Sequence, residues 1–99
     1  EFQLMIEKIY GGRDRARGSA ATFQWLTEEV GELARALRKG ERANMEEEFA
    51  DVLAWLVTLA SMHGVDIEAA ARRKYPGSCT RCDTAPCTCP PNPLPRSSP

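Results

Sequence analysis

Two short acidic segments, separated by fifteen residues, constrain the fold of this 99-residue chain more than any other feature. Each segment carries two carboxylates three positions apart: Glu29 with Glu32, and Glu48 with Asp51. On an α-helix, residues three apart project from the same face. If the two helices pack side by side, four carboxylates converge and repel one another unless a cation lies among them. Because Mg²⁺ and Mn²⁺ prefer all-oxygen ligands, the pattern predicts a helical protein that holds such a cation and acts on phosphates.

The acid pairs border the apolar face of each predicted helix instead of lying opposite it. Apolar residues repeat at about 100° per residue, as expected for helices with one buried face. The apolar stripes comprise Leu26, Val30, Leu33 and Leu37 in one helix and Phe49, Val52, Leu53, Leu56 and Ala60 in the other. A solvated helix face is the alternative for either acidic segment. Two segments with matched spacing, both beside an apolar stripe, favour the cation site.

The first half of the chain is expected to form a short helix and a long one. Residues 2–10 are amphipathic and stop at Gly11-Gly12, and residues 13–19 form a charged connection. The long helix begins within Ser19–Thr22 and continues to a C-terminal glycine cap at Gly40.

The second half is expected to form two more helices. Asn44 begins the third helix, with Glu47 completing a capping box, and this helix runs to about His63. Asp66 caps a last helix over residues 67–75, which Pro76 ends. No strand pattern is visible in the sequence, so the predicted class is all-α.

The composition limits the size of the core and the classes of partner. Ninety-nine residues, of which 42% are apolar, make one small domain with a thin core. Such domains often gain further stability by oligomerisation. The net charge of −1 argues against a nucleic-acid or membrane surface. There is no run of 18 apolar residues and no visible signal peptide, so we expect a cytoplasmic location.

The two acidic segments resemble the signature of a known family. Residues 25–33 (WLTEEVGEL) followed by residues 48–52 (EFADV) resemble the EExxE…ExxD signature of the MazG-like all-α nucleoside triphosphate pyrophosphohydrolases. The resemblance extends over roughly residues 3–76, because residues 66–68 (DIE) and 74–76 (KYP) also look like the closing helix of that family.

The resemblance implies a four-helix MazG-like bundle that is completed by assembly into a homodimer or homotetramer. It also implies hydrolysis of a (deoxy)nucleoside triphosphate between the α- and β-phosphates, with Mg²⁺ or Mn²⁺ as cofactor. By position, Glu29, Glu32, Glu48 and Asp51 match the metal ligands. Glu28 matches the first acid of the motif and is our candidate general base, although it could instead bind a further metal ion or orient the attacking water.

Two further residues are candidate substrate contacts. Lys74, with Arg72 and Arg73 as alternatives, could contact the outer phosphates, as a basic residue near the end of the last helix does in this family. The other interpretation is that these charges only complement the helix dipole. Trp25 or Trp55 could stack on a base, although tryptophan in so small a bundle is more often part of the core. The arginines within residues 13–17 could gather phosphate, but a solvated loop is the favoured interpretation.

All four cysteines fall within eleven residues: Cys79, Cys82, Cys87 and Cys89. A C-x-x-C followed by C-x-C in a cytosolic chain is a candidate tetrahedral thiolate site for structural Zn²⁺. Disulfides, in three pairings, and free thiols remain open alternatives. We expect this tail to pin the C-terminus or to make subunit contacts, not to take part in catalysis.

We therefore predict a helical catalytic domain over residues 1–76, a Cys-rich tail over 77–89 and a Pro-rich disordered segment over 90–99. The expected partner is a nucleoside triphosphate, whose base and sugar the sequence does not identify. The rival interpretation is a non-catalytic helical interaction module with a zinc-pinned tail, in which the acids form a protein-binding or solvated face.

Overall fold

A computed structural model of the chain describes residues 1–91. Its helices are α1 (Phe2–Arg17), α2 (Ser19–Lys39), α3 (Arg42–Met62) and α4 (Ile67–Lys74). No strand occurs among residues 1–91, so the predicted all-α, four-helix architecture is confirmed. The Pro-rich segment predicted to be disordered falls largely on residues 92–99, which lie outside the described residues.

Helix α1 is longer than predicted. It continues through Gly11 to Arg17, so the expected stop at the double glycine and the charged loop after it are wrong. Helical glycine costs up to about 1 kcal/mol relative to alanine, but burial can outweigh that cost. Gly11 and Asp14 are buried, and the Asp14 carboxylate forms an ion pair with Arg17 at 3.0 Å. The helix ends at Gly18, whose φ of 90° interrupts the helical path.

The predicted ends of the later helices are partly confirmed. Gly40 caps α2 in the left-handed conformation, with its N–H donating to the Ala36 carbonyl, as predicted. Helix α3 begins at Arg42, so the predicted start at Asn44 and its capping box are wrong. Its N-cap residue, Glu41, makes no side-chain capping hydrogen bond. The N–H groups of the first turn lie at the exposed start of the helix, where solvent can accept their hydrogen bonds.

The chain divides into two compact units, Glu1–Ile67 and the residues from Glu68 onward. In the first unit, the Gln3 side chain on α1 ties the start of the chain to the segment that follows α3. Its amide nitrogen donates to Ser61 Oγ at 3.0 Å and to the Val65 carbonyl at 2.8 Å. Its amide oxygen accepts from the Ile67 N–H at 3.0 Å. These bonds hold the start of α1 against the C-terminal end of α3 and the residues that follow it.

The core of the first unit is small. Its buried apolar side chains are Ile6, Ala36 and Val57. Several members of the predicted apolar stripes are instead exposed: Val30, Leu37, Phe49, Leu53 and Leu56. The first unit therefore leaves much of both predicted apolar stripes uncovered, which agrees with the thin core expected from the composition.

The second unit contains most of α4 and the cysteine-containing segment. An ion pair between Arg72 and Glu68, at 3.0 Å, lies on the exposed surface of α4. None of residues 68–91 is buried. No single helix within residues 1–91 is long and apolar enough to cross a membrane, and only α3 and α4 taken together meet that test, by length and composition alone.

Candidate metal and phosphate site

The acid pairs face each other because α2 and α3 run antiparallel. Only Gly40 and Glu41 separate the two helices, and so short a connection makes them antiparallel neighbours. Side chains then meet in pairs, each about one helical turn from the last. The pairs are Trp25 with Trp55, Glu29 with Asp51, and Glu32 with Glu48.

Three of the four predicted ligands form a compact cluster, which we call the acid triad: Glu29, Glu48 and Asp51. One carboxylate oxygen of each lies within 4.8 Å of those of the other two. Glu29 and Glu48 are half-buried, and Asp51 is exposed. Glu32 is exposed and outside the triad, but its charge acts on both Glu29 and Glu48. The triad thus brings acids of both sequence segments together, whereas their roles as ligands stay predictions.

Burial and mutual repulsion raise the pKa values of two triad members. The pKa of Glu29 is raised first by burial and then by the charges of Asp51, Glu48 and Glu32. A hydrogen bond between the Glu29 and Asp51 carboxyls adds to this effect. Burial and the charges of Glu32 and Asp51 raise the pKa of Glu48, against an opposing effect of the Arg35 guanidinium. Both shifts therefore arise because burial and the neighbouring carboxylates disfavour the ionised form of these two groups.

One oxygen of the triad has no polar partner. Glu48 Oε1 is buried and makes no hydrogen bond within residues 1–91. Buried polar atoms without partners are uncommon, and each calls for an explanation such as an ion. The triad offers only carboxylate oxygens, which suit the hard cations Mg²⁺ and Mn²⁺ better than softer metals. The residues present therefore fit the predicted divalent cation.

A cavity of about 340 Å³ adjoins the acid triad. Asp51 and Trp55 line it from α3, and Tyr10, Arg13 and Arg17 line it from α1. Asp51 thus belongs both to the triad and to the cavity wall. The opposite wall offers two guanidinium groups and an aromatic ring, which are the groups that bind phosphates and stack on bases.

Arg17 is held in place from three sides. Its guanidinium pairs with the Asp14 carboxylate at 3.0 Å and donates to Thr22 Oγ1 at 3.2 Å. It also lies over the Trp55 ring, 4.8 Å from the ring centroid. The Thr22 hydroxyl itself donates to the Gly18 carbonyl at 2.7 Å, so the break between α1 and α2 is part of this arrangement.

Sequence reasoning missed two residues of this cavity, Tyr10 and Asp14. The signal was present, because residues 6, 10, 13, 14 and 17 recur at the spacing of one helical face. The prediction that the helix stops at Gly11 divided these residues between a helix and a loop, so their common face was not recognised. The interpretation of residues 13–17 as a solvated loop is wrong for Arg17, which is half-buried on a helix.

Three other predicted site residues, Trp25, Glu28 and Lys74, lie outside both the acid triad and the lining of this cavity. Trp25 stacks on Trp55 with centroids 5.9 Å apart, and about half of its surface is exposed. Glu28 is exposed on α2, next to Glu29. Lys74 ends α4 in the second unit, with its ammonium 5.9 Å from the centroid of the Tyr75 ring. The assigned roles of Trp25, Glu28 and Lys74 stay predictions.

The four cysteines form a second cluster. Their Sγ atoms all lie within 4.8 Å of one another, and all four are free thiols. Hydrogen bonds from Thr84 and Thr88 lower the pKa of the Cys82 thiol to about 5. Backbone hydrogen bonds lower the pKa of Cys79, whereas hydrogen bonding to Cys87 and burial raise that of Cys89 to about 12.

Comparison with known proteins assigns a family to the chain. The model of the MazG nucleotide pyrophosphohydrolase domain matches residues 17–82, which is more than half of the chain. The match includes both acidic segments and extends to Cys82. A comparison with curated proteins found no match. With the helical fold, the opposed acid pairs and this match together, the chain belongs to the MazG nucleotide pyrophosphohydrolase domain family.

Proposed function

We propose that the protein is a metal-dependent nucleoside triphosphate pyrophosphohydrolase, which cleaves between the α- and β-phosphates to give a nucleoside monophosphate and pyrophosphate. One observation carries the proposal: Asp51 lies in the acid triad and also lines the cavity that contains Arg13 and Arg17. A cation held by the triad would therefore adjoin groups that suit a triphosphate. Family membership supports the same reaction class.

The acid triad supplies the charge that this chemistry needs. Glu29, Glu48 and Asp51 would hold Mg²⁺ or Mn²⁺, with Glu32 beside them, and the bound ion supplies charge neutralisation on phosphate oxygens and a more acidic water. Glu28 is the proposed general base, which accepts a proton from the attacking water. Its exposed position next to Glu29 leaves it accessible to water.

The cavity supplies binding for the rest of the nucleotide. Arg17 is pre-oriented by Asp14 and Thr22, so its guanidinium can meet phosphate oxygens with little loss of side-chain freedom. Arg13 adds a second positive charge. Tyr10 and the Trp25–Trp55 stack offer aromatic surface for the base, and Lys74 is a further proposed phosphate contact. A cavity of about 340 Å³ is within the usual range for small-molecule sites.

We further propose that the active form is a homodimer or homotetramer in the cytoplasm. The small core and the half-exposed Phe49, Leu53 and Leu56 support assembly, because apolar side chains that recur at helical spacing on an exposed surface often mark an interface. The second candidate, a non-catalytic interaction module, draws on the same exposed surface. It differs in predicting no response to Mg²⁺.

Pyrophosphate release tests the proposal. A panel of ribo- and deoxynucleoside triphosphates is incubated with the protein, either with Mg²⁺ or with EDTA, and monophosphate and pyrophosphate are quantified. We expect metal-dependent release that Glu48→Gln abolishes, because this change removes the charge of a triad member. Glu46→Gln is the matched control, since Glu46 lies on the same helix and makes only an exposed ion pair with Arg42 at 3.8 Å.

Two results would contradict the proposal. Full activity of Glu48→Gln would show that the acid triad is not needed for the reaction. No release from any triphosphate, by protein whose helical circular-dichroism signal is intact, would favour the interaction module.

A further inference from the structure

The cysteine-containing segment is folded without an apolar core. No residue between 68 and 91 is buried, and Ala85 and Pro86 are the only apolar residues other than cysteine between Ser78 and Cys89. Ordering the backbone costs conformational entropy, which burial of apolar side chains normally offsets. That source of stability is missing here, so another interaction must hold the segment together.

The four sulfur atoms of this segment lie close enough together to surround a single metal ion. Cys79 Sγ lies 3.8 Å from Cys89 Sγ, and Cys82 Sγ lies 4.0 Å from Cys87 Sγ. All four sulfur atoms lie within 4.8 Å of one another. A tetrahedron with Zn–S bonds of about 2.3 Å has edges of about 3.8 Å. The spacing therefore leaves room for one ion bound by all four sulfurs.

Backbone amides point at the sulfurs, as thiolate ligands require. The Arg81 N–H donates to Cys79 Sγ at 3.4 Å, and the Cys89 N–H donates to Cys87 Sγ at 3.3 Å. The Thr88 N–H donates to Cys82 Sγ, also at 3.3 Å. Such donors stabilise negative charge on sulfur and orient the ligands around a metal ion.

The turn between the first two cysteines is closed independently of any ion. The Asp83 N–H donates to the Cys79 carbonyl at 2.9 Å, and the Cys79 N–H donates to the Thr84 carbonyl at 2.9 Å. Asp83 adopts a φ of 61°, which reverses the chain directly after Cys82. The Ser78 hydroxyl donates to the Asp83 carboxylate at 2.9 Å. These bonds hold the turn in a shape that brings the Sγ atoms of Cys79 and Cys82 close together.

We propose that Cys79, Cys82, Cys87 and Cys89 bind one Zn²⁺ ion as four thiolates, and that this ion takes the place of an apolar core in the C-terminal segment. Zinc fits because four thiolates in a closed tetrahedral set are typical of structural zinc sites. Binding by all four sulfurs leaves no open coordination position, so the site is structural. Metal binding would then supply the folding free energy of this segment.

Metal content and protease sensitivity test the proposal on the full chain. The protein is purified under reducing conditions, and its zinc and iron contents are measured by mass spectrometry. Trypsin cleavage after Arg81, which lies exposed between the first two cysteines, is followed before and after treatment with a zinc-selective chelator. We expect one zinc per chain, slow cleavage of the zinc-bound form, and fast cleavage after chelation.

Variants separate zinc binding from other effects. Cys82→Ser and Cys87→Ser should each lose the bound zinc and cleave rapidly at Arg81. Thr80→Ala is the matched control, because Thr80 is exposed in the same turn and is not a ligand. It should keep both zinc and protection.

Three outcomes would overturn the proposal. The first is iron in place of zinc. The second is a chain mass that shows disulfides in protein prepared without reductant, for which Cys79–Cys89 (3.8 Å) and Cys82–Cys87 (4.0 Å) are candidate pairs. The third is retention of zinc by both serine variants.

Discussion

The indole rings of Trp25 and Trp55 stack across α2 and α3, with centroids 5.9 Å apart and ring planes inclined by 13°. Trp25 precedes Glu29 by one helical turn, and Trp55 follows Asp51 by one turn. The aromatic pair therefore lies next to the place where Glu29 and Asp51 share a hydrogen bond. We infer that the stack helps to set the register in which the acids of the two helices meet.

Removing either tryptophan should weaken the pairing of α2 and α3. Stacked aromatic pairs contribute about 0.5–1.5 kcal/mol beyond the area that they bury. A double-mutant cycle of Trp25→Leu and Trp55→Leu, followed by urea unfolding, should give a coupling energy of about that size. Phe23→Leu is the control, because Phe23 is exposed on the same helix. Strictly additive effects of the two tryptophan changes would show that the stack does not contribute to stability.

The raised pKa values of Glu29 and Glu48 predict how stability depends on pH and metal. Because the folded state binds these protons more tightly than the unfolded state, the contribution of both groups to stability is fully present below the unfolded pKa of about 4.3. It is lost as pH rises through the raised folded values. A cation binds the ionised carboxylates and relieves their mutual repulsion, and protons compete with it for the same groups. Mg²⁺ should therefore increase the unfolding temperature more at pH 8 than at pH 5.

Neutralising Glu29 should stabilise the protein without metal and, at the same time, remove its stabilisation by Mg²⁺. Without added metal at pH 8, Glu29→Gln should unfold at a higher temperature than the unmodified protein, since the change removes repulsion from Asp51 and Glu48. The same variant should lose the stabilisation by Mg²⁺. Glu46→Gln should change neither property. The prediction is wrong if Glu29→Gln is destabilised without metal, or if it keeps the full response to Mg²⁺.

The register of the acids was predicted from the sequence, whereas the length of α1 was not. Spacing of three within each acid pair and a glycine cap at Gly40 are local features, and local features predict a tight antiparallel helix pair. The continuation of α1 through Gly11 depends on burial of that glycine and on the ion pair between Asp14 and Arg17. These are interactions of the folded chain that helix propensity alone does not contain.

The sequence also could not divide its apolar residues between core and surface. Periodicity places Leu26 and Val30 on one stripe of α2, but Leu26 is half-buried and Val30 is exposed. The difference depends on which side of a helix its neighbours cover, and the periodicity of one helix does not contain that information. Hydrophobic patterning predicts that a residue avoids water, not whether its own chain or a second copy covers it.

Arg17 should have separable effects on stability and on substrate binding. The Asp14 side chain is 8% exposed, and Arg17→Gln would leave its carboxylate without an ionic partner. An unsatisfied buried polar group costs about 1–3 kcal/mol, which urea unfolding would detect. Asp14→Asn combined with Arg17→Gln should recover much of that loss, because a neutral amide pair replaces the missing ion pair.

The same double variant tests the substrate role. It should still show a raised KM for the triphosphate, because the Arg17 guanidinium is gone and only that of Arg13 remains in the cavity wall. Arg15→Gln is the control, since Arg15 is exposed and does not line this cavity. If the double variant recovers both stability and KM, Arg17 is structural only.

The exposed apolar residues of α3 should carry the proposed assembly of copies. Phe49, Leu53 and Leu56 recur at helical spacing and are 56%, 46% and 40% exposed. Leu53→Glu should shift the protein to a monomer in light scattering coupled to size-exclusion chromatography, because it places a charge in the middle of this strip. Ala43→Glu adds the same charge to the exposed first turn of α3 and should leave the mass unchanged. An oligomer that survives Leu53→Glu would place the contact between copies elsewhere on the surface.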